Sequence, residues 1–471
     1  MDAAKSGSRQ TDKIHVPSHR KVLMIAYAFP PTGGSGVQRT AKFAKYLPQF
    51  GWLPTVWTVD DADGLPRDET LCHDLPPEVT VCAGASLGGV RAFRRSLRGF
   101  ANARAGEGWT ALASRFVKAV DWRLENWVTS NCFPDDCIGW ARRSLGMLRT
   151  RLATENFDVI YSTYSPASNH WLALEIKKAT GLPWVADFRD LWTQDCRYRS
   201  DSPTRRAAHR RLEKEFLETA DAVVGVTPRQ TEILCGFVPG QFEKFHTITN
   251  GFDPDDFNQL RTSRETKRKQ FILSYVGRFD PSQTPDSWFN ALRAFAGQIG
   301  PQREKFVLRM VGHVNRACKV RLQATGISCE FHEYMPHREA IQAMIDADAL
   351  LLCAPRGPNG DTIIPAKMFE YLATGRPILA IGPPNSICAR MVHEAKAGIS
   401  ADFDEQTIVA ALRRMFDAWR GGTPMQGADA EDVVGFSRME LTGRLARLLD
   451  QLCEERSSAT QSTDELLVCG A

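Results

Sequence analysis

An apolar run, Lys21-Val22-Leu23-Met24-Ile25-Ala26-Tyr27, leads straight into Phe29-Pro30-Pro31-Thr32-Gly33-Gly34-Ser35-Gly36, and this junction sets the class of fold. A run with no polar alternation is buried on both faces, as in a parallel sheet covered by helices on either side. Proline and glycine stop the strand, and Val37, Ala41, Ala44 and Leu47 then recur at helical spacing. Leu53 to Val59 supplies the next strand. Strand, helix and strand in this order imply parallel pairing with a right-handed crossover.

The alternation continues through Val79 to Cys82, Val159 to Ser162, Trp184 to Phe188 and Ala222 to Val226. It restarts at Phe271-Ile272-Leu273-Ser274-Tyr275-Val276-Gly277 and runs through Phe306 to Val311, Glu330 to Tyr334, Ala349 to Cys353 and Pro377 to Ile381. A chain of 471 residues is too long for one ordinary core. The expected architecture is α/β, with one Rossmann-like domain at 20–252, a charged linker at 253–269 and a second Rossmann-like domain at 270–430. Residues 431–455 provide one more helix, with Leu441, Leu445, Leu448 and Leu449 apolar, able to cross back to the first domain. The polar segment 1–19 and the Ser/Thr-rich tail 456–471 are expected to be disordered.

Charge narrows the partners. The 59 Lys and Arg against 55 Asp and Glu leave +4, too little to make nucleic acid the partner of the whole chain. The 12 cysteines contain no C-x-x-C and fit a reducing compartment. Residues 1–20 lack the apolar core of a secretory signal, and no apolar run reaches the roughly 18 residues of a membrane span. The expected location is cytoplasmic.

The loop Gly33-Gly34-Ser35-Gly36 joins a buried strand to a helix, where backbone N–H groups and the helix dipole meet a phosphate or sugar. A plain tight turn is the alternative. The dinucleotide fingerprint G-x-G-x-x-G stops at Arg39, while Asp60 at the end of the second strand keeps an NAD-dependent oxidoreductase as another reading. Further on, Thr362-Ile363-Ile364-Pro365-Ala366-Lys367-Met368-Phe369-Glu370-Tyr371-Leu372 sets a proline in a first helical turn, with Lys367 and Glu370 at i and i+3. A diphosphate suits the cation and the N–H groups, and a carboxylate binds ribose hydroxyls. The alternative is an exposed salt-bridge pair.

Four segments together are specific: Gly33-Gly34; Asn250-Gly251-Phe252-Asp253; Val276-Gly277-Arg278; and Lys367-Met368-Phe369-Glu370-Tyr371-Leu372-Ala373-Thr374-Gly375-Arg376-Pro377-Ile378. In order and spacing they resemble family 4 glycosyltransferases, over nearly all of the chain from Lys21 to Leu449. The resemblance implies the GT-B fold, two Rossmann-like domains facing across a cleft. It also implies a retaining transferase that needs no metal and no cofactor beyond its nucleotide-sugar substrate. By that likeness Glu370 holds the ribose, and Arg278 and Lys367 neutralise the diphosphate. Gly33 and Gly34 approach the donor's phosphate or sugar, and N–H groups near Ile363 and Ile364 face the same donor. The family commonly has a glutamate where this chain has Thr362, with Asp361 one residue out of register. The lysine that follows Gly-Arg in the family has no clear match in Phe279-Asp280-Pro281-Ser282-Gln283. The donor-sugar contact at Thr362 therefore differs from the family's. A GT-B epimerase and a catalytically inactive nucleotide-sugar binder stay open beside the transferase.

Asp187-Phe188-Arg189-Asp190-Leu191-Trp192 follows a buried strand and resembles a motif of the subgroup acting on bacterial surface polysaccharides. Asp187 and Arg189 are expected to position the acceptor, a glycan or lipid-linked sugar, or to assist proton transfer; tying their own loop together is the alternative. Gly84-Ala85-Ser86-Leu87-Gly88 matches a hydrolase nucleophile elbow, but Arg91, Arg94, Arg95 and Arg98 follow where such a helix packs inside. No H-E-x-x-H or paired-Cys motif points to a metal. From Val90 to Val128, apolar stripes lie beside basic charge, which suits either packing on the first sheet or an anionic membrane surface at the inner leaflet.

Overall fold

A computed structural model describes residues 19–468, apart from 61, 63–66, 85–116, 118, 122, 125–130, 196–197, 199–201, 259, 261–268, 282–283 and 357–358. The elbow-like motif beyond Gly84, most of the 90–128 stripes and the segment before His19 lie outside the described residues. Among those described, the strands of the first sheet are β1 (Arg20–Ile25), β2 (Trp52–Val59), β3 (Thr80–Gly84), β4 (Val159–Tyr164), β5 (Trp184–Phe188), β6 (Ala222–Gly225) and β7 (Phe245–Thr247). They lie in the order β3-β2-β1-β4-β5-β6-β7. The second sheet contains β8 (Phe271–Val276), β9 (Phe306–Val311), β10 (Ser328–His332), β11 (Ala349–Cys353), β12 (Ile378–Ile381) and β13 (Gly398–Ala401), ordered β10-β9-β8-β11-β12-β13. Neighbouring strands in both sheets pair in parallel.

Alternation of side chains along each strand divides each domain's core into two layers. Leu23 and Ile25 of β1 join one apolar cluster, whereas Val22 and Met24 join the other. In β11, Leu351 and Cys353 face one layer and Leu350 and Leu352 the opposite one. The order of strands reverses between β1 and β4 and again between β8 and β11. Such reversals open a crevice beyond the carboxyl ends of the strands, where α/β sheets hold ligands.

The terminal helix Arg438–Val468 returns to the first domain. Leu441, Leu445, Leu448, Leu449 and Leu452 pack with Val22, Met24, Phe43, Leu47 and Trp52. Asp450 pins the contact by accepting hydrogen bonds from Arg20 Nη1 at 2.8 Å and Trp52 Nε1 at 3.2 Å.

Two expectations are corrected. The tail from 456 is helical as far as Val468. Ser457 and Ser458 donate to carbonyls four residues back, at Cys453 and Glu454, so these hydroxyls do not compete with the helix. The expected charged linker at 253–269 starts packed on the first domain: Pro254–Phe257 is a 3-10 turn, and buried Asp253 meets Lys42 at 2.6 Å and Lys45 at 2.8 Å. Burial opposes the Asp253 charge, but the two ammonium groups and Tyr46 outweigh it and hold its pKa at about 2.

Candidate active site

A cavity of about 600 Å³ lies between the two sheets' carboxyl ends, within the size range of small-ligand sites. Gly34, Gly36, Arg39 and Arg189 border it from the first domain, and Arg278, Ile363, Ile364, Lys367 and Glu370 from the second.

The first wall begins where β1 ends. Gly34 has φ +110, a conformation that side chains rarely adopt, and it caps the helix Ser35–Tyr46 without offering a side chain. The first turn carries no acidic residue. The amide groups of this turn and the positive end of the helix dipole therefore stand ready for an anion. Arg189 closes over the loop: its Nη1 donates to the Gly36 carbonyl and its Nη2 to the Ser165 carbonyl at 3.2 Å. A Cβ at position 36 would come within 2.7 Å of that guanidinium, so a side chain there displaces the arginine.

The second wall is built around Lys367. Its ammonium lies 3.8 Å from the Tyr275 ring centroid and would meet a Cβ at Gly277 at 3.0 Å. Among the described residues it has no ion-pair partner within 4 Å, and burial pulls its pKa down to about 8 despite Cys353 and Glu370. Glu370 instead accepts from His337 Nε2 at 2.8 Å, so the lysine and glutamate do not form the surface pair that their spacing allowed. Burial opposes the charge of His337, but Glu370 and Asp256 outweigh it and raise its pKa. Arg278 is exposed beside Asp280, 2.8 Å away. Gly312, with φ +105, lets the β9 turn press on the β8 turn, since a Cβ there would lie 2.7 Å from the Gly277 carbonyl oxygen.

Four expected contacts are corrected. Asp187 is fully buried and faces no cavity: Arg39 grips both its oxygens, Nε at 2.7 Å and Nη2 at 2.9 Å, and the Tyr161 hydroxyl donates to it. Its carboxylate neutralises a buried arginine and is not available to an acceptor. Gly33 is buried behind Gly34 and does not border the cavity. Thr362 turns its hydroxyl onto the Asn359 carbonyl at 2.7 Å, and its own carbonyl accepts from Thr227 of the first domain at 3.3 Å. The Ile363 amide donates to the Gly360 carbonyl at 3.2 Å, although the residue itself borders the cavity. Asp60, which kept the oxidoreductase reading open, also lies away from the cavity lining.

Several cavity residues carried no signal in the sequence. Arg39 ends a broken fingerprint, yet it is 1% exposed and also donates to the carbonyls of Ile248 and Thr249. Arg438 and Gln230 belong to no motif. Lys42 likewise belongs to no motif and lies between the apolar positions of its helix. Its ammonium sits 2.6 Å from Asp74, 2.6 Å from Asp253 and 2.9 Å from Asp256, so it supplies the positive charge at a cluster whose spacing suits a metal ion.

A family model described as a glycosyl transferase 4-like domain matches residues 33–251, which include the glycine loop, Arg189 and the strand β5 that precedes it. This segment is similar to that family. No curated protein sequence matches the chain. Sucrose-phosphate synthase from Thermosynechococcus elongatus is similar in structure, with a TM-score of 0.59 and 16% identity over 92% of this chain and 99% of that one. Anabaena HepE in complex with UDP-glucose is similar at 0.56 and 14% identity, over 92% and 100% of the two chains. A UDP-forming trehalose-phosphate synthase from Burkholderia xenovorans, in complex with glucose-6-phosphate, gives 0.57 and 14% identity over 92% and 100%. The chain thus has the GT-B fold of these proteins across both of its domains. Among the described residues, no helix is long and apolar enough to cross a membrane.

Proposed function

We propose that this chain transfers a sugar, with retention of anomeric configuration, from a nucleoside-diphosphate sugar to a hydroxyl of a glycan or lipid-linked acceptor. One observation carries the reading. Lys367, a cation with no ion-pair partner among the described residues, borders the same interdomain cavity as an uncapped helix N-terminus at Gly34. A diphosphate satisfies both, since each offers charge or N–H groups to phosphate oxygens. Glu370, oriented by His337, is placed to accept ribose hydroxyls.

In this mechanism the bond from the anomeric carbon to the phosphate oxygen breaks while Lys367, Arg278 and the helix amides stabilise the departing diphosphate. The acceptor oxygen bonds to the anomeric carbon on the same face, and its proton passes to the leaving phosphate. Fixed cations thereby supply the charge stabilisation that a metal ion gives elsewhere. Arg189 holds the glycine loop against β4 and borders the acceptor side. The similarity to proteins crystallised with UDP-glucose and glucose-6-phosphate supports a nucleotide-sugar donor and a hydroxylated sugar acceptor.

Calorimetric titration with UDP, GDP and NAD, followed by turnover with the sugars of whichever nucleotide binds, tests the reading. Binding of UDP or GDP, and a product whose anomeric signal in NMR matches the donor's, is the expected result. Binding of NAD alone defeats it, and release of an isomerised sugar nucleotide without acceptor means epimerisation. The surface-polysaccharide role adds a membrane step, in which the basic apolar stripes of 90–128 dock on the inner leaflet. Flotation with anionic liposomes at low salt tests that step, and failure to float removes it.

A further inference from the structure

Among the described residues, two that border the cleft carry a buried side-chain polar atom with no hydrogen-bond partner: Gln230 Oε1 and Arg438 Nη1. The glutamine is neutral, and its amide can turn to exchange oxygen for nitrogen. The arginine is a full charge and makes the stronger demand.

Arg438 opens the terminal helix, is 3% exposed, and is anchored by its own amide, which donates to the Phe252 carbonyl at 2.7 Å. The acids that attract it are Glu370, Asp253 and Asp187, and each already has a nearer partner. Glu370 is bonded to His337, Asp253 to Lys42 and Lys45, and Asp187 to Arg39. Arg39 adds repulsion, and burial pulls the Arg438 pKa down to about 10. A guanidinium buried without a counter-ion is strongly unfavourable unless an anion joins it. Its planar fork matches the oxygens of a phosphate.

We propose that Arg438 is an anion-binding residue of the cleft and takes a phosphate oxygen of the donor's diphosphate. The assignment rests on the reading of this cleft as a nucleotide-sugar site. Its place favours the diphosphate, because it lies within the fields of Arg39, in the helix that starts at the glycine loop, and of Glu370, one turn from Lys367. Arg438 belongs to a helix packed on the first domain, whereas Arg278 and Lys367 belong to the second. One diphosphate held by all three bridges the two domains.

The test compares wild type, Arg438→Gln and Arg438→Lys by calorimetry, with UDP against uridine and GDP against guanosine. Thermal melting is followed with and without the nucleotide. The expected result is about a tenfold or larger loss of nucleoside-diphosphate affinity in Arg438→Gln, an unchanged nucleoside affinity, and partial recovery in Arg438→Lys. Without ligand, Arg438→Gln melts no lower than wild type, because a buried unpaired charge has been removed. Unchanged diphosphate affinity, an equal loss for the nucleoside, or an unliganded variant that melts lower or fails to fold overturns the assignment. Failure of wild type to bind either nucleotide defeats the donor-site reading itself and is seen separately.

Discussion

Lys367 gives the cleft a pH dependence whose sign follows from its burial. Its pKa is about 8 in the unliganded site, pulled down by burial, so the ammonium is charged below that pH and neutral above it. A diphosphate favours the charged form and raises the bound-state pKa. UDP or GDP affinity should therefore hold near neutral pH and fall as the pH passes 8, by at most about tenfold per unit until the bound-state pKa is reached. Calorimetry from about pH 7 to about pH 9.5 measures this. Lys367→Ala should bind about 10- to 100-fold more weakly and show a flat profile over that range; a wild-type profile that is equally flat defeats the assignment. Asp187 carries a different prediction, because its partner Arg39 is buried with it. Asp187→Asn leaves that guanidinium uncompensated, at a cost of about 3–5 kcal/mol. The expected outcome is a clear drop in melting temperature. An unchanged melting temperature with lost activity would restore a direct role in catalysis.

At the scale of elements, the glycine turns decide how closely the strands' loops approach one another at the cleft. Gly312→Ala places a Cβ 2.7 Å from the Gly277 carbonyl oxygen in a backbone region that costs a side chain about 1–2 kcal/mol. The obstacle is backbone and cannot swing aside, so the β8 and β9 turns must part. Nucleotide affinity should fall at least about tenfold while circular dichroism keeps its native form; calorimetry on the purified variant decides the matter. The same elements show what the sequence made legible. Long apolar runs such as Trp184–Phe188 and Ala349–Cys353 are read to the residue, because burial on both faces leaves no competing pattern. Phe245–Thr247 and Gly398–Ala401 are edge strands of three and four residues, too short to show any period, and they pass unseen. At the site, Lys367, Glu370 and Gly34 are readable because their chemistry lies within one loop and helix. Asp187 misleads, since the side chain it pairs with is 148 residues away and only the folded sheet joins them. Arg438 lies outside every motif for the same reason.

The whole molecule depends on the chain's return from the second domain to the first. Few polar ties cross the cleft elsewhere among the described residues: Thr227 donates to the Thr362 carbonyl at 3.3 Å, and Asn359 Nδ2 to the Gln194 carbonyl at 3.1 Å. The terminal helix is a much larger link, because Leu441, Leu445, Leu448, Leu449 and Leu452 complete one core layer of the first domain. Full burial of a leucine contributes about 1.5–3 kcal/mol, so these side chains together offer on the order of 10 kcal/mol. That is comparable to the entire stability of a typical domain. Ending the chain after Ser437 should therefore leave Val22, Met24, Phe43 and Trp52 uncovered and give an insoluble or protease-sensitive product, even though no strand has been touched. Ending it after Glu455 removes only residues beyond the last of these leucines, and the melting temperature should match that of the full chain. Limited proteolysis and thermal melting of the two truncations distinguish a helix that builds the first domain's core from one that merely lies on it. Equal resistance of both truncations rules out the former. Because Arg438 opens this same helix, the segment that completes the first domain's core also brings a cation to the cleft, which couples folding of the terminal segment to formation of the proposed nucleotide site.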